Sequence, residues 1–173
     1  LSAGSNGIRI CGLDATRSGN NVIVHRLGNS GGEAQDIAEV DATMWEAQLT
    51  ELNPTALIIL FGTNECQAGR TPATFNTHLT TLITRARTAL PLIDIVLFSP
   101  GDNDAVSTYG MDEYDAEMLT VAQAQSCTYL SGYQLLPDYD DSVSRALMAD
   151  TVHPNSDGYM MLANALVQML TVR

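Results

Sequence analysis

The chain reads as an α/β fold with a parallel sheet covered by helices on both faces. Short runs rich in Ile, Leu and Val recur along it and alternate with amphipathic stretches of helical length. No linker, repeat or low-complexity tract interrupts the alternation. Strands separated by helices pair in parallel through right-handed crossovers, which place helices on both sides of the sheet. At 173 residues the chain fits one domain, spanning 1–173, with a core that needs neither disulfides nor metals.

The elements follow in order. Val22-Ile23-Val24-His25-Arg26-Leu27 reads as a strand, and Ala56 to Phe61 as a second, fully buried one. Between them, Asp36 to Leu52 carries apolar residues at Ile37, Val40, Met44, Trp45 and Leu49, the spacing of one helix face. Thr71-Pro72 is a cap followed by proline at the first helical position, opening a helix to about Leu90. Ile93 to Phe98 is the third strand and Thr128 to Leu130 a short fourth, flanking a helix from Asp112 to Gln125. A last helix, Asp157 to Leu170, aligns Tyr159, Leu162, Ala163, Leu166 and Leu170. The loop from Pro100 to Gly110 is long and polar and follows a strand's C-terminal end, the sheet edge where ligands bind in open α/β folds. It reads equally as a substrate-lining loop and as a solvated connector.

Composition narrows the function classes. The chain is 45% hydrophobic with only 3 Phe and 1 Trp, so its core is expected to be aliphatic. Its 20 acidic residues face 8 basic ones, all arginine, for a net charge of −12. That balance disfavours nucleic acid or an anionic membrane as partner. A lysine-free acidic surface fits a salty or extracellular setting. Cys11, Cys66 and Cys127 are widely spaced, without a CxxC or a Cys/His cluster, so they read as free thiols rather than zinc ligands. The chain shows no transmembrane run and no signal peptide.

The chemistry lies in the turns. Asp150 precedes His153 by three residues, just before the closing helix. At that spacing the carboxylate can accept a hydrogen bond from one ring nitrogen and leave the other as a general base. Gly28-Asn29-Ser30-Gly31-Gly32 follows the first strand and Gly62-Thr63-Asn64 the second. Glycines there turn the backbone tightly and present N–H groups to an oxyanion, and an asparagine amide adds another donor. Together they point to a serine-type hydrolase site with no metal and no cofactor.

These residues resemble the motif blocks of the SGNH hydrolases of the GDSL esterase/lipase superfamily. Asn29-Ser30-Gly31 is similar to the glycine block, Gly62-Thr63-Asn64-Glu65 to the Gly-x-Asn-Asp block with Glu65 for the usual Asp, and Asp150 to His153 to the Asp-x-x-His block. The resemblance implies a three-layer α/β/α fold with a parallel, flavodoxin-like sheet. It implies a Ser-His-Asp esterase in which His153 and Asp150 are catalytic and Gly31 and Asn64 build the oxyanion hole. No Gly-Asp-Ser occurs in the chain, yet Leu1-Ser2-Ala3-Gly4 resembles the residues that follow that block. On this reading the nucleophile immediately precedes Leu1, the first strand is missing from the chain, and an upstream segment of the same protein is its partner. His153-Pro154-Asn155 through Gly158-Tyr159 resembles the carbohydrate-active members, so an O-acetylated saccharide is the expected substrate, with a lipid or thioester second.

Two further readings stay open. Gly28-Asn29-Ser30-Gly31-Gly32 also matches Gly-x-Ser-x-Gly, the nucleophile elbow of α/β-hydrolases, with Ser30 as nucleophile. A single preceding strand and an acid only three residues from its histidine weigh against it. A polysaccharide-binding module that kept the fold and lost the serine is the non-catalytic alternative. His25 reads as structural, His78 as solvated, and Ser2 and Ser5 as ordinary loop residues. Asp138, Asp140 and Asp141 form an acidic cluster better read as a solvated turn than as a calcium site.

Overall fold

The computed structural model describes residues 23–171. Leu1 to Gly4, Ser2, Ser5, Cys11 and Val22 lie outside the described residues. The chain divides into two units, Leu1–Ser30 and Gly31–Arg173. In the first, residues 23–29 carry no regular secondary structure, so the strand expected over Val22–Leu27 does not form among them. A strand exists only by pairing its backbone groups. Val24, 78% exposed, has the exposure of an unpaired segment.

The second unit holds a parallel three-stranded sheet of order β1-β2-β3, built from Ala56–Leu60, Asp94–Ser99 and Thr128–Ser131. Helices α1 (Ala34–Ala38), α2 (Ala42–Leu52), α4 (Pro72–Ala89) and α5 (Met111–Ala124) enclose the main core. It is aliphatic as expected, with Ile59, Leu79, Ile83, Ile95, Leu97 and Met118 buried, and it includes an edge-to-face pair of Phe75 and Tyr114 at 5.5 Å. A smaller cluster joins Phe98 of β2 to Leu136 and to Leu162 of α8 (Ser156–Thr171). The alternation along β2 thus feeds two helical layers, which makes the expected α/β/α sandwich.

Local chemistry sets the boundaries. Thr71 Oγ1 accepts the Thr74 N–H at 3.1 Å and Pro72 opens α4, as the sequence implied. The single helix expected from Asp36 to Leu52 is instead α1 and α2, because Asp41 restarts the helix by accepting the Met44 N–H at 2.9 Å. The short helices α3 (Thr63–Gln67) and α7 (Tyr139–Ser144) fall in stretches read as turns, and α6 (Gly132–Leu135) in one that carried no expectation. Asp138 caps α7 by accepting the Asp141 N–H at 2.9 Å, and Asp141 pairs with Arg145 at 3.2 Å. His78 is half-buried in α4 rather than solvated.

β1 differs from the expectation of a fully buried strand. Ile59 is buried, but Ile58 and Leu60 on the opposite face are 41% and 48% exposed. Among the described residues β1 has β2 on one side only, and α8 does not cover its second face. Full burial of such a side chain stabilises by about 1.5–3 kcal/mol, so this face carries an unused driving force for association. No helix among the described residues is long and apolar enough to cross a membrane.

Candidate active site

Two pairs of residues singled out in the sequence come together at the C-terminal end of the sheet. The first is Asp150 with His153. Asp150 Oδ1 accepts the backbone N–H groups of Val152 at 2.8 Å and His153 at 2.7 Å, a side-chain-closed turn. The turn folds the imidazole back onto the same carboxylate, with Nδ1 at 2.9 Å from Oδ2 and 3.1 Å from Oδ1. The three-residue spacing is therefore what the turn requires. The Val152 N–H first, then the His153 ring and backbone N–H, hold the Asp150 carboxyl at about 2, below the usual carboxylate range. Both side chains are open to solvent, His153 at 59% and Asp150 at 55%, so Nε2 is accessible to a reacting group.

The flanks fix this turn. Met148 and Pro154 form an antiparallel bridge, and Ala149 N–H donates to His153 C=O at 2.8 Å. Asn155 N–H donates to Leu147 C=O at 2.8 Å, while its side-chain oxygen accepts from Asp157 and Gly158 N–H at the start of α8. The loop leaving β2 is attached as well, through Asp104 N–H to Thr151 C=O at 2.8 Å. Part of the Pro100–Gly110 loop is thus tied to the Asp150–His153 turn.

The second pair is the glycine turn with Asn64. Gly31 has φ +73°, a conformation that favours glycine, in the turn before α1. Gly62, with φ +132°, ends β1 and lies so close to Pro100 that a Cβ would sit 3.2 Å from Pro100 Cδ. Asn64 follows in the first turn of α3, and its Nδ2 donates to the Gly32 C=O at 2.8 Å. One N–H of the amide is thereby fixed, leaving the second as a donor beside the Gly31 turn.

Supporting contacts come from Glu65, which the sequence marks only as the counterpart of a motif Asp, and from Arg70, Tyr114 and Asp115, which it does not mark. Glu65 is buried, and its two oxygens accept the N–H groups of Ala34 at 2.5 Å and Gly62 at 2.8 Å. Burial pushes its carboxyl up, against the pull of those N–H groups. Arg70 Nε pairs with Glu33 at 2.7 Å, and the Tyr114 hydroxyl donates to the Glu65 C=O at 3.1 Å and to the Arg70 C=O. At the ends of β2 and β3, Asp115 accepts hydrogen bonds from the hydroxyls of Ser99, Tyr129 and Ser131. A carboxylate on a helix shows its burial only once the helix is docked, so composition and period carry no signal for either acid. Cys66 is buried and Cys127 half-buried, both as free thiols. Ser30, the rival nucleophile, is the last residue of the first unit and is exposed.

A parallel α/β/α sandwich with an Asp-oriented histidine and an asparagine-fixed glycine turn at its strand ends defines a hydrolase of the SGNH class. The sequence matches the family model of GDSL-like lipases and acylhydrolases over residues 9–161, and the chain belongs to that family. No curated protein sequence matches it. Among solved structures it is similar to a peptidoglycan O-acetylesterase at 17% identity and a TM-score of 0.70, with 81% of this chain covered. The chain spans 43% of the length of that protein. It is also similar to a catalytic mutant of an acetylxylan esterase from Geobacillus stearothermophilus (20% identity, TM-score 0.67, 87% of this chain and 73% of that one). A carbohydrate esterase of family 3 from Talaromyces cellulolyticus follows at 20% identity and a TM-score of 0.64, covering 81% of this chain and 67% of that one. At these identities the likeness establishes the fold.

Proposed function

We propose that this chain carries the acid–base and oxyanion machinery of a serine esterase that removes O-acetyl groups from a carbohydrate. The observation that carries the reading is the clasp of His153 Nδ1 by the Asp150 carboxylate. It holds the ring with its proton on Nδ1 and its Nε2 lone pair outward. The nucleophile in this reading is a serine immediately before Leu1, in a segment that supplies the first strand. Among the described residues β1 pairs with β2 on one edge only, and its other edge is open to a further strand. The whole then forms one domain with residues 1–173.

The serine oxygen attacks the ester carbonyl as His153 Nε2 takes its proton. The negative oxygen that forms is met by the Gly31 N–H, the second N–H of Asn64 and the nucleophile's own N–H. As the intermediate collapses, His153 returns the proton to the departing sugar hydroxyl and an acetyl-serine remains. Water then attacks this ester, again giving its proton to His153. Collapse releases acetate and restores the serine.

The family includes lipases and acylhydrolases, and a saccharide ester is favoured within it by three things. The chain has no long apolar segment to line an acyl tunnel, its charge of −12 repels anionic lipid and nucleic acid, and its structural neighbours include acetyl esterases of polysaccharides. A chain-length series tests this on the protein with its nucleophile segment. Catalytic efficiency should fall by about a hundredfold or more from p-nitrophenyl acetate to the decanoate, and acetylated xylooligosaccharides should release acetate. A profile rising toward long chains would assign a lipase or thioesterase. Retention on a polysaccharide column without any hydrolysis would assign the binding module.

A further inference from the structure

We propose that Glu65 is the positioning residue of the oxyanion hole, its carboxylate bridging the turn that carries Gly31 to the turn that carries Asn64. The inference rests on the esterase reading and assigns a role to a residue outside the acid–base pair.

The two turns come from distant parts of the sequence, yet two links join them, one part-buried and one buried. One is the Asn64 amide on the Gly32 C=O. The other is Glu65, whose Oε1 takes the Ala34 N–H and whose Oε2 takes the Gly62 N–H. Ala34 is fully buried and Glu65 is 2% exposed, so water does not replace either bond. The Arg70–Glu33 pair ties the same segments from outside, where solvent screens it. Glu65 adjoins Asn64 and Ala34 lies three residues past Gly31, so a change in the carboxylate moves both donors at once. Oxyanion donors act only within a narrow window, about 2.7–3.1 Å from the developing charge, and a misplacement of about 1 Å costs about a hundredfold in rate.

The side-chain length matters. Aspartate, the usual residue at this place in the family, is shorter by one carbon–carbon bond, about 1.5 Å. Placed here, it would keep the local bond to the Gly62 N–H, three residues away, and lose the reach to Ala34. Glu65→Asp therefore isolates the bridge while keeping the charge, whereas Glu65→Gln leaves one of the two N–H groups facing a donor.

The test uses the protein with its nucleophile segment, whose hydrolysis of p-nitrophenyl acetate is measured first. Glu65→Gln and Glu65→Asp are then each made alone and with Asn64→Ala. Both should lower kcat by about tenfold or more with KM within about twofold, and in the Asn64→Ala background, where only the Gly31 donor is left to displace, the same changes should cost clearly less than in the wild-type background. Amide hydrogen exchange adds a readout independent of turnover. In Glu65→Asp the Ala34 N–H should exchange faster while the Gly62 N–H stays protected. Active wild-type protein whose losses multiply fully across both backgrounds, or an Ala34 N–H that stays protected in Glu65→Asp, would overturn the proposal. Inactive wild-type protein would instead sink the esterase reading.

Discussion

Replacing His153 by alanine is expected to lower kcat for p-nitrophenyl acetate by about a thousandfold or more, the scale of losing a triad member. The size follows from the double use of the ring in the proposed mechanism, where it takes the serine proton in the first half-reaction and the water proton in the second. In the structure Nδ1 is committed to Asp150, so proton transfer falls to Nε2. Asp150→Asn should cost less, because an amide oxygen can still accept the Val152 and His153 N–H groups and keep the turn closed. The pH dependence follows from the sign of the Asp150 shift. Its carboxyl lies at about 2, below the ordinary 3.8, so the clasp is intact above that range and is lost as pH falls through about 2. A fall in activity between about pH 4 and pH 7 therefore reports a group other than Asp150. Near-normal turnover by His153→Ala would remove the mechanism.

Asn64→Ala is expected to lower kcat by about a hundredfold or more with little change in KM, the signature of a contact made in the transition state. The amide has two N–H groups, and one already donates to the Gly32 C=O. Its removal also loosens the glycine turn, at a stability cost of about 0.5–1.5 kcal/mol for a neutral hydrogen bond. A modest drop in melting temperature should therefore accompany the kinetic loss. A selective rise in KM would make Asn64 a substrate-binding residue instead.

The features legible in the sequence are those governed by local rules. Thr71-Pro72 announces α4, the apolar run before Pro100 announces β2, and the period from Tyr159 to Leu170 announces α8, each through interactions within a few residues. Asp150 and His153 were legible for the same reason, since their contact is closed by a turn between them. What escaped depends on partners far along the chain. The periodic stretch from Asp36 to Leu52 conceals the restart at Asp41, because a capping aspartate leaves the apolar spacing unchanged. The apolar run over Val22–Leu27 supplies a strand pattern, but a strand also needs a partner, and none forms among residues 23–29. Ile58 and Leu60 read as core because apolar runs carry no record of which face is covered. Glu65 stands out only as the counterpart of a motif Asp and Asp115 not at all, because their partners meet them only once α3 and α5 dock.

The location of the nucleophile is the claim on which the account turns, and covalent labelling measures it directly. The complete protein would be treated with an organophosphonate that traps activated serines, digested, and mapped by mass spectrometry, with His153→Ala as the unactivated control. The account predicts label on the serine immediately preceding Leu1, lost in the control. Ser30 should stay unlabelled, since it adjoins the residue that offers its N–H to the oxyanion. Label on Ser30 would contradict the account and establish the nucleophile elbow in its place.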